Sequence, residues 1–270
     1  MSGRLIAVGD SCQGIYGFTG ADNDALELIA EQFHAIRMPL TVSYRCPKKV
    51  VEFSHKWVTH IEAHPSAIDG EVTEEEYHDE FLPDEGSAIL SRVTKPLVTL
   101  AFSFIRRRIP CKIEGRDIGA GLIKLANKWK SCKTIDAFEV RLNSYSDKQH
   151  LRLKEKPAQL QSMVDQVETI RAIMDFCREE RKYHMTDVVA WVESLFANDV
   201  KGRFVLSTIH KAKGREWNTV YWLNRSSTCP SKYAVLPWMK KQESNLQYVC
   251  CTRSRNKLVE LSYTPTETKF

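Results

Sequence analysis

The feature that most constrains this chain is an alternation of short apolar runs with stretches of helical periodicity. The runs fall at 5–8, 40–42, 88–91, 204–208, 219–223 and 258–261. Several are continuously apolar and do not alternate with polar residues, the pattern of strands covered on both faces. Between them, helical patterns occupy 24–33, 47–64 and 95–108, and a long block follows from 117 to 196. Pro47 at a first helical turn and Pro110 just after Arg108 act as start and stop signals. Strands that alternate with helices predict an α/β fold, a parallel sheet with helices on both faces. The central block carries few strand signals and is expected to be a small helical insertion.

Charge is unevenly placed along this frame. The net charge is only +5, yet nine acidic residues and no Lys or Arg lie between 69 and 85. From Arg92 to Lys133 there are eleven basic residues against two acids, Glu114 and Asp117. Two solvated faces would account for this, and so would a basic nucleic-acid face, because phosphate attraction is the sequence-independent part of such binding. The longest apolar run, 96–105, is too short for a membrane span and is broken by Thr99 and Ser103. No membrane partner is expected, and the first ten residues do not read as a signal peptide. The eight cysteines show no C-x-x-C spacing, which argues against a zinc ribbon or redox pair and for a reducing, cytoplasmic location. Cys250 and Cys251 read as small buried hydrophobes.

Four segments carry the chemistry. The first is Val8-Gly-Asp-Ser-Cys-Gln13-Gly-Ile-Tyr16-Gly-Phe18-Thr-Gly-Ala21, a loop after a strand-like run. Gln13 offers an amide for a phosphate or a water, while Tyr16 and Phe18 offer flat faces for bases. The second, Ser43-Tyr44-Arg45-Cys-Pro47, places an Arg before a helix start, where it can reach a phosphate. The third is Thr208-Ile-His210-Lys-Ala-Lys-Gly214-Arg-Glu216-Trp217, which lacks the order of a Walker A loop. The fourth, Tyr248-Val-Cys-Cys-Thr-Arg253-Ser, ends an apolar helix in an Arg that could act as an arginine finger. Each alone has an ordinary reading as core packing or a loop-capping side chain.

Together and in this order, the segments resemble the UvrD/Rep-type superfamily 1 DNA helicases, carboxyl-terminal half. Residues 8–21 look like motif III of that family, 43–45 like motif IV, 208–217 like motif V and 248–254 like motif VI. The run Ile109-Pro-Cys-Lys-Ile-Glu-Gly115 resembles the I-P-Y-x-x-x-G segment between motifs IV and V. The resemblance implies that Gln13, Arg45 and Arg253 are the catalytic contacts to the γ-phosphate of ATP. It implies that Tyr44 stacks on the adenine, Glu216 holds the ribose and Gly214 permits close backbone approach. Tyr16, Phe18, Thr208 and His210 would meet single-stranded DNA, with Phe18 where the family usually has Trp. A RecA-like architecture follows: 1–38 as the last strand and helix of a first domain, 39–115 with 198–270 as the second, and 116–197 as a reduced accessory insertion.

The chain departs from the family in three places. Thr19 stands where Arg is usual, and the separation of Arg45 from Thr208 is much shorter than usual. The residues that would hold Mg²⁺ and the β- and γ-phosphates, the Walker A and B groups, are not among the 270. The expectation is therefore part of an ATP-dependent 3′→5′ DNA helicase that is inactive alone and works with an amino-terminal half carrying Walker A and B. The alternative is a non-catalytic nucleic-acid-binding or regulatory module that kept the fold. Among competing signals, His60 and His64 are spaced i, i+4, but Pro65 follows at once, so no metal site is expected. Gly115, Gly119 and Gly121 suggest a turn and tight helix packing, and Met174, Phe176, Met185 and Trp191 suggest core.

Overall fold

A computed structural model of the chain describes residues 5–17, 24–197 and 202–264. A single 3₁₀ turn, Ser11–Gln13, comes first, followed by α1 (Ala25–Gln32), β1 (Val42–Ser43), α2 (Lys48–Ser54), β2 (Glu62–Ala63), β3 (Glu71–Glu76) and β4 (Ala88–Ser91). Next come α3 (Thr94–Arg106), β5 (Lys112–Glu114), α4 (Arg116–Ala126), α5 (Ile135–Arg152), α6 (Pro157–Glu179) and α7 (Met185–Leu195). The chain closes with β6 (Val205–Thr208), α8 (Ile209–Ala212), β7 (Trp217–Leu223), α9 (Arg225–Thr228), α10 (Pro237–Cys251) and β8 (Ser254–Ser262).

Six strands form one sheet in the order β3-β8-β7-β4-β6-β5, with every pair parallel. Alternate residues of the central strands enter two different cores. Ile89, Leu206, Tyr221 and Val259 pack under α3 and the helices of 116–195. Ala88, Leu90, Val220, Trp222 and Leu258 pack under α2, α8 and α10 on the other face. Both side-chain sets of each strand are therefore buried, which is why these strands read as unbroken apolar runs. The α/β fold, parallel and covered on both faces, is as expected. The helical block shares its core with the sheet: Phe102 on α3 stacks on Phe176 of α6, the ring centroids 3.7 Å apart. Met174, Phe176 and Met185 are buried, and a Cβ on Gly119 would come within 2.8 Å of Phe196.

The structure corrects the sequence reading at several points. Residues 5–8 are not a strand; Ile6 is 86% exposed, and no neighbouring strand among the described residues pairs with their backbone groups. The helix expected over 47–64 stops at Ser54, and Glu62–Ala63 instead pairs with β1. His60 and His64 consequently do not share a helical face. In the six-stranded sheet two strands went unread, β3 and β5, and they are its two edges. β3, Glu-Val-Thr-Glu-Glu-Glu, turns carboxylates outward, a charge pattern that protects an open edge from pairing with another chain. The basic run touches the acidic one through Arg107, which donates to the Phe81 carbonyl at 2.7 Å, but most of its ion pairs lie elsewhere. Arg92, Lys95 and Arg106 pair with Glu243, Glu168 and Glu179 on α10 and α6.

Candidate functional site

The site begins with the loop 10–17, which is pinned at both ends. Asp10 accepts the Cys12 N–H at 2.8 Å and thereby starts the 3₁₀ turn, and its other oxygen accepts from the Gln13 amide at 2.7 Å. From the opposite side α10 takes hold of the loop backbone. Asn245 Nδ2 donates to the carbonyls of Ser11 and Gly14, both at 2.9 Å, and Gln242 Nε2 donates to that of Ile15 at 2.6 Å. Lys213 Nζ donates to the Gln13 carbonyl at 2.8 Å. The sequence reading missed Gln242, Asn245 and Lys213. The available signal was a pair of polar residues, spaced i, i+3, on a helix that is otherwise buried on that side.

Beyond the loop lies a cavity of about 180 Å³ lined by Gln13, Arg45 and Arg253 together with Ser43, Tyr248 and Thr252. Arg45 is presented by the turn between β1 and α2, which is closed when Ser43 Oγ accepts the Cys46 N–H at 3.2 Å. Arg253 sits where α10 gives way to β8 and is only 2% exposed. Its guanidinium donates to the carbonyls of Val249 at 2.9 Å and Arg215 at 3.2 Å, and to Thr252 Oγ1 at 3.2 Å. These neutral acceptors do not balance its charge. Burial first, and the nearby Arg45 second, pull the Arg253 pKa below its ordinary value.

Glu216 supplies the local negative charge. Its carboxylate pairs with both Arg45 and Arg255, and the Arg255 bond is the largest influence holding it below the usual carboxylate range. Gly214, two residues earlier, has φ +86°, a left-handed conformation that favours glycine, while the space around its Cβ position is open. Tyr44 does not line the cavity. It is 80% exposed beside it and rests on His64, the ring centroids 4.4 Å apart. That contact extends the β1–β2 register, in which Ser43 lies opposite Ala63.

The residues expected to meet a nucleic acid gather at the other end of the sheet. Thr208 ends β6 and is buried at the start of α8; its neighbour across the ladder, Ser91, ends β4. Tyr16 Oη donates to the His210 carbonyl at 2.8 Å, and the two rings lie 6.2 Å apart. Burial, reinforced by the charges of Arg92 and Lys211, pushes the His210 pKa down to about 3, so its imidazole is neutral near pH 7. In that state it adds no charge to this group of residues. Phe18 and Thr19 lie outside the described residues. Lys213 joins the two groups, since its ammonium also lies 5.2 Å from the Tyr16 ring centre.

A family model, the UvrD-like helicase C-terminal domain, matches residues 123–265. The chain belongs to this family. No curated protein matches the chain. The matched span of the UvrD-like domain includes Thr208, His210, Gly214, Glu216 and Arg253 but not the segments around Gln13 and Arg45. The chain is thus a helicase part by family. None of its described helices is long and apolar enough to cross a membrane.

Proposed function

We propose that this UvrD-like chain is the carboxyl-terminal part of an ATP-dependent DNA helicase and supplies one wall of the nucleotide cleft. The observation that carries the reading is the cavity shared by Gln13, Arg45 and Arg253. Those side chains come from segments far apart in sequence, and each carries N–H donors for phosphate oxygens. The cavity has room for a phosphate group, and Tyr44, just outside, provides an exposed ring for a base. Arg253 is a buried cation that no carboxylate hydrogen-bonds among the described residues, so an arriving anion would relieve it. Arg45 would leave Glu216 for the γ-phosphate, and both arginines would neutralise the charge that develops during transfer.

In the same reading the nucleotide lies between this wall and a partner domain that holds Mg²⁺ and the β-phosphate. Cleft closure would then move loop 10–17 with α10, carrying Tyr16 and His210 along a single DNA strand in the 3′→5′ direction implied by the family. The test is to recover the native chain with its partners and assay DNA-stimulated ATP hydrolysis in the wild type and in Arg253→Ala. A partner with a G-x-x-x-x-G-K-[ST] loop, together with turnover that Arg253→Ala lowers about 10³-fold or more, is expected. A lone chain that binds DNA without turnover would establish instead the non-catalytic nucleic-acid-binding module.

A further inference from the structure

The segment 229–242 leads into the first half of α10 and carries Lys232, Tyr233, Trp238, Lys240 and Lys241 but no carboxylate. Its tryptophan is unusual. Trp217 and Trp222 are buried in the sheet, and Trp57, Trp129 and Trp191 pack against the two cores, whereas Trp238 is 43% exposed. The covered part of its indole lies on loop 10–17. A Cβ on Gly17 would stand 3.3 Å from Trp238 Cζ3, so the absence of a side chain lets the backbone next to Tyr16 lie against the ring. Lys241, one turn further along α10, shares the helix face of Trp238. It also lies near enough to Cys12 on the same loop to oppose the upward shift that burial and Asp10 give that thiol. Lys240 and Lys241 are exposed, and among the described residues no carboxylate pairs with either.

An exposed flat ring beside lysines, continuous with Tyr16 and His210, has the two parts that bind single strands without reading sequence: a face for a base and cations for its phosphates. We propose that Trp238 is a base-stacking residue that extends the strand-binding surface beyond Tyr16, with Lys241 contacting a phosphate of the same single-stranded nucleic acid. This rests on the DNA reading above and adds a nucleotide contact to it.

The experiment is titration of the native chain with oligothymidylate, followed by tryptophan fluorescence and, independently, by anisotropy of a labelled strand. Stacking on the exposed indole should quench emission in the wild type. Trp238→Phe should retain affinity within about threefold but lose the quenching, because the remaining indoles are shielded. Trp238→Ala should bind about tenfold more weakly, and Lys241→Ala should lower the slope of log affinity against log salt by about 0.7. Equal quenching in Trp238→Phe, or undiminished affinity in Trp238→Ala, would overturn the stacking assignment while leaving the DNA reading intact. No binding by the native chain in either readout would overturn both. Trp238→Phe keeps the proposal falsifiable if the alanine variant fails to fold.

Discussion

The two halves of α10 handle charge in opposite ways. In the amino-terminal half Glu243 is buried, and Arg92 grips it in two-pronged fashion, Nε at 3.0 and 3.1 Å and Nη2 at 2.7 Å. The Ser231 N–H adds a third partner at 2.9 Å. One cation meets one anion, and the pair ties β4, the 229–231 turn and α10 together. At the carboxyl-terminal end Arg45 and Arg255 pair with a single carboxylate, Glu216, and Arg253 lies near enough to feel its charge without bonding to it. A fully enclosed pair has to be matched because desolvation leaves no other compensation, whereas Arg253, although buried, borders a cavity that an anion can enter. The matched pair ties the fold together, and the proposed nucleotide contacts lie at the unmatched end.

The largest expected effect lies at the matched end. Glu243→Ala would strand the Arg92 guanidinium in the core and cost about 3–5 kcal/mol, read as a lower urea midpoint. Replacing both partners, as in Arg92→Met with Glu243→Leu, should cost less than the single change. An unchanged midpoint in Glu243→Ala would break the comparison at once. Arg45→Ala is the counterpart at the open end. It should alter stability by less than about 1 kcal/mol, because its ion pair is solvent-exposed. With the partner half present, it should lower ATP turnover about 10²–10³-fold.

Acid should separate the two ends as well. His210 ionises near 6.5 when unfolded and is pushed down to about 3 in the folded chain, with Arg92 among the causes. Between those values the unfolded chain binds the extra proton, so stability is lost as pH falls from about 6.5 toward 3. His210→Gln should flatten that slope in denaturation curves between pH 6 and 4. Glu216, whose folded pKa is lowered, contributes above its ordinary 4.5 and loses that contribution only at more acidic pH. The side of α10 that holds Arg92 and Glu243 should therefore weaken first.

How much of this the sequence revealed follows from where each residue sits. Strands β4, β6, β7 and β8 were legible because burial on both faces makes them continuously apolar. The edges β3 and β5 were not, since β3 looks like a solvated acidic run and β5 has only Lys112–Glu114. Residues 5–8 had strand composition without a strand beside them among the described residues, and composition does not supply a ladder partner. Gln13, Arg45 and Arg253 were legible as chemistry through their motifs, and the structure brings them to one cavity. The clamp of Gln242 and Asn245 on loop 10–17 was hidden because it joins side chains to backbone carbonyls more than 220 residues away, which no spacing encodes. Arg255 lies one residue beyond the fourth segment and carried no motif signal, yet it shares Glu216 with Arg45.

Arg255 offers the finest adjustment of the comparison. It lies on an exposed stretch of β8, so Arg255→Ala should change stability by no more than about 0.5 kcal/mol. The consequence falls on its neighbour: with one arginine gone, Glu216 holds Arg45 more strongly, and an incoming phosphate has to compete for it. The variant should raise the KM for ATP a few-fold with kcat nearly unchanged, because Arg45 still reaches the γ-phosphate once the nucleotide is bound. A fall in kcat at constant KM would mean that Arg255 itself acts in the transition state. The open end would then hold three phosphate-directed arginines, and Glu216 would be the counter-ion common to all of them.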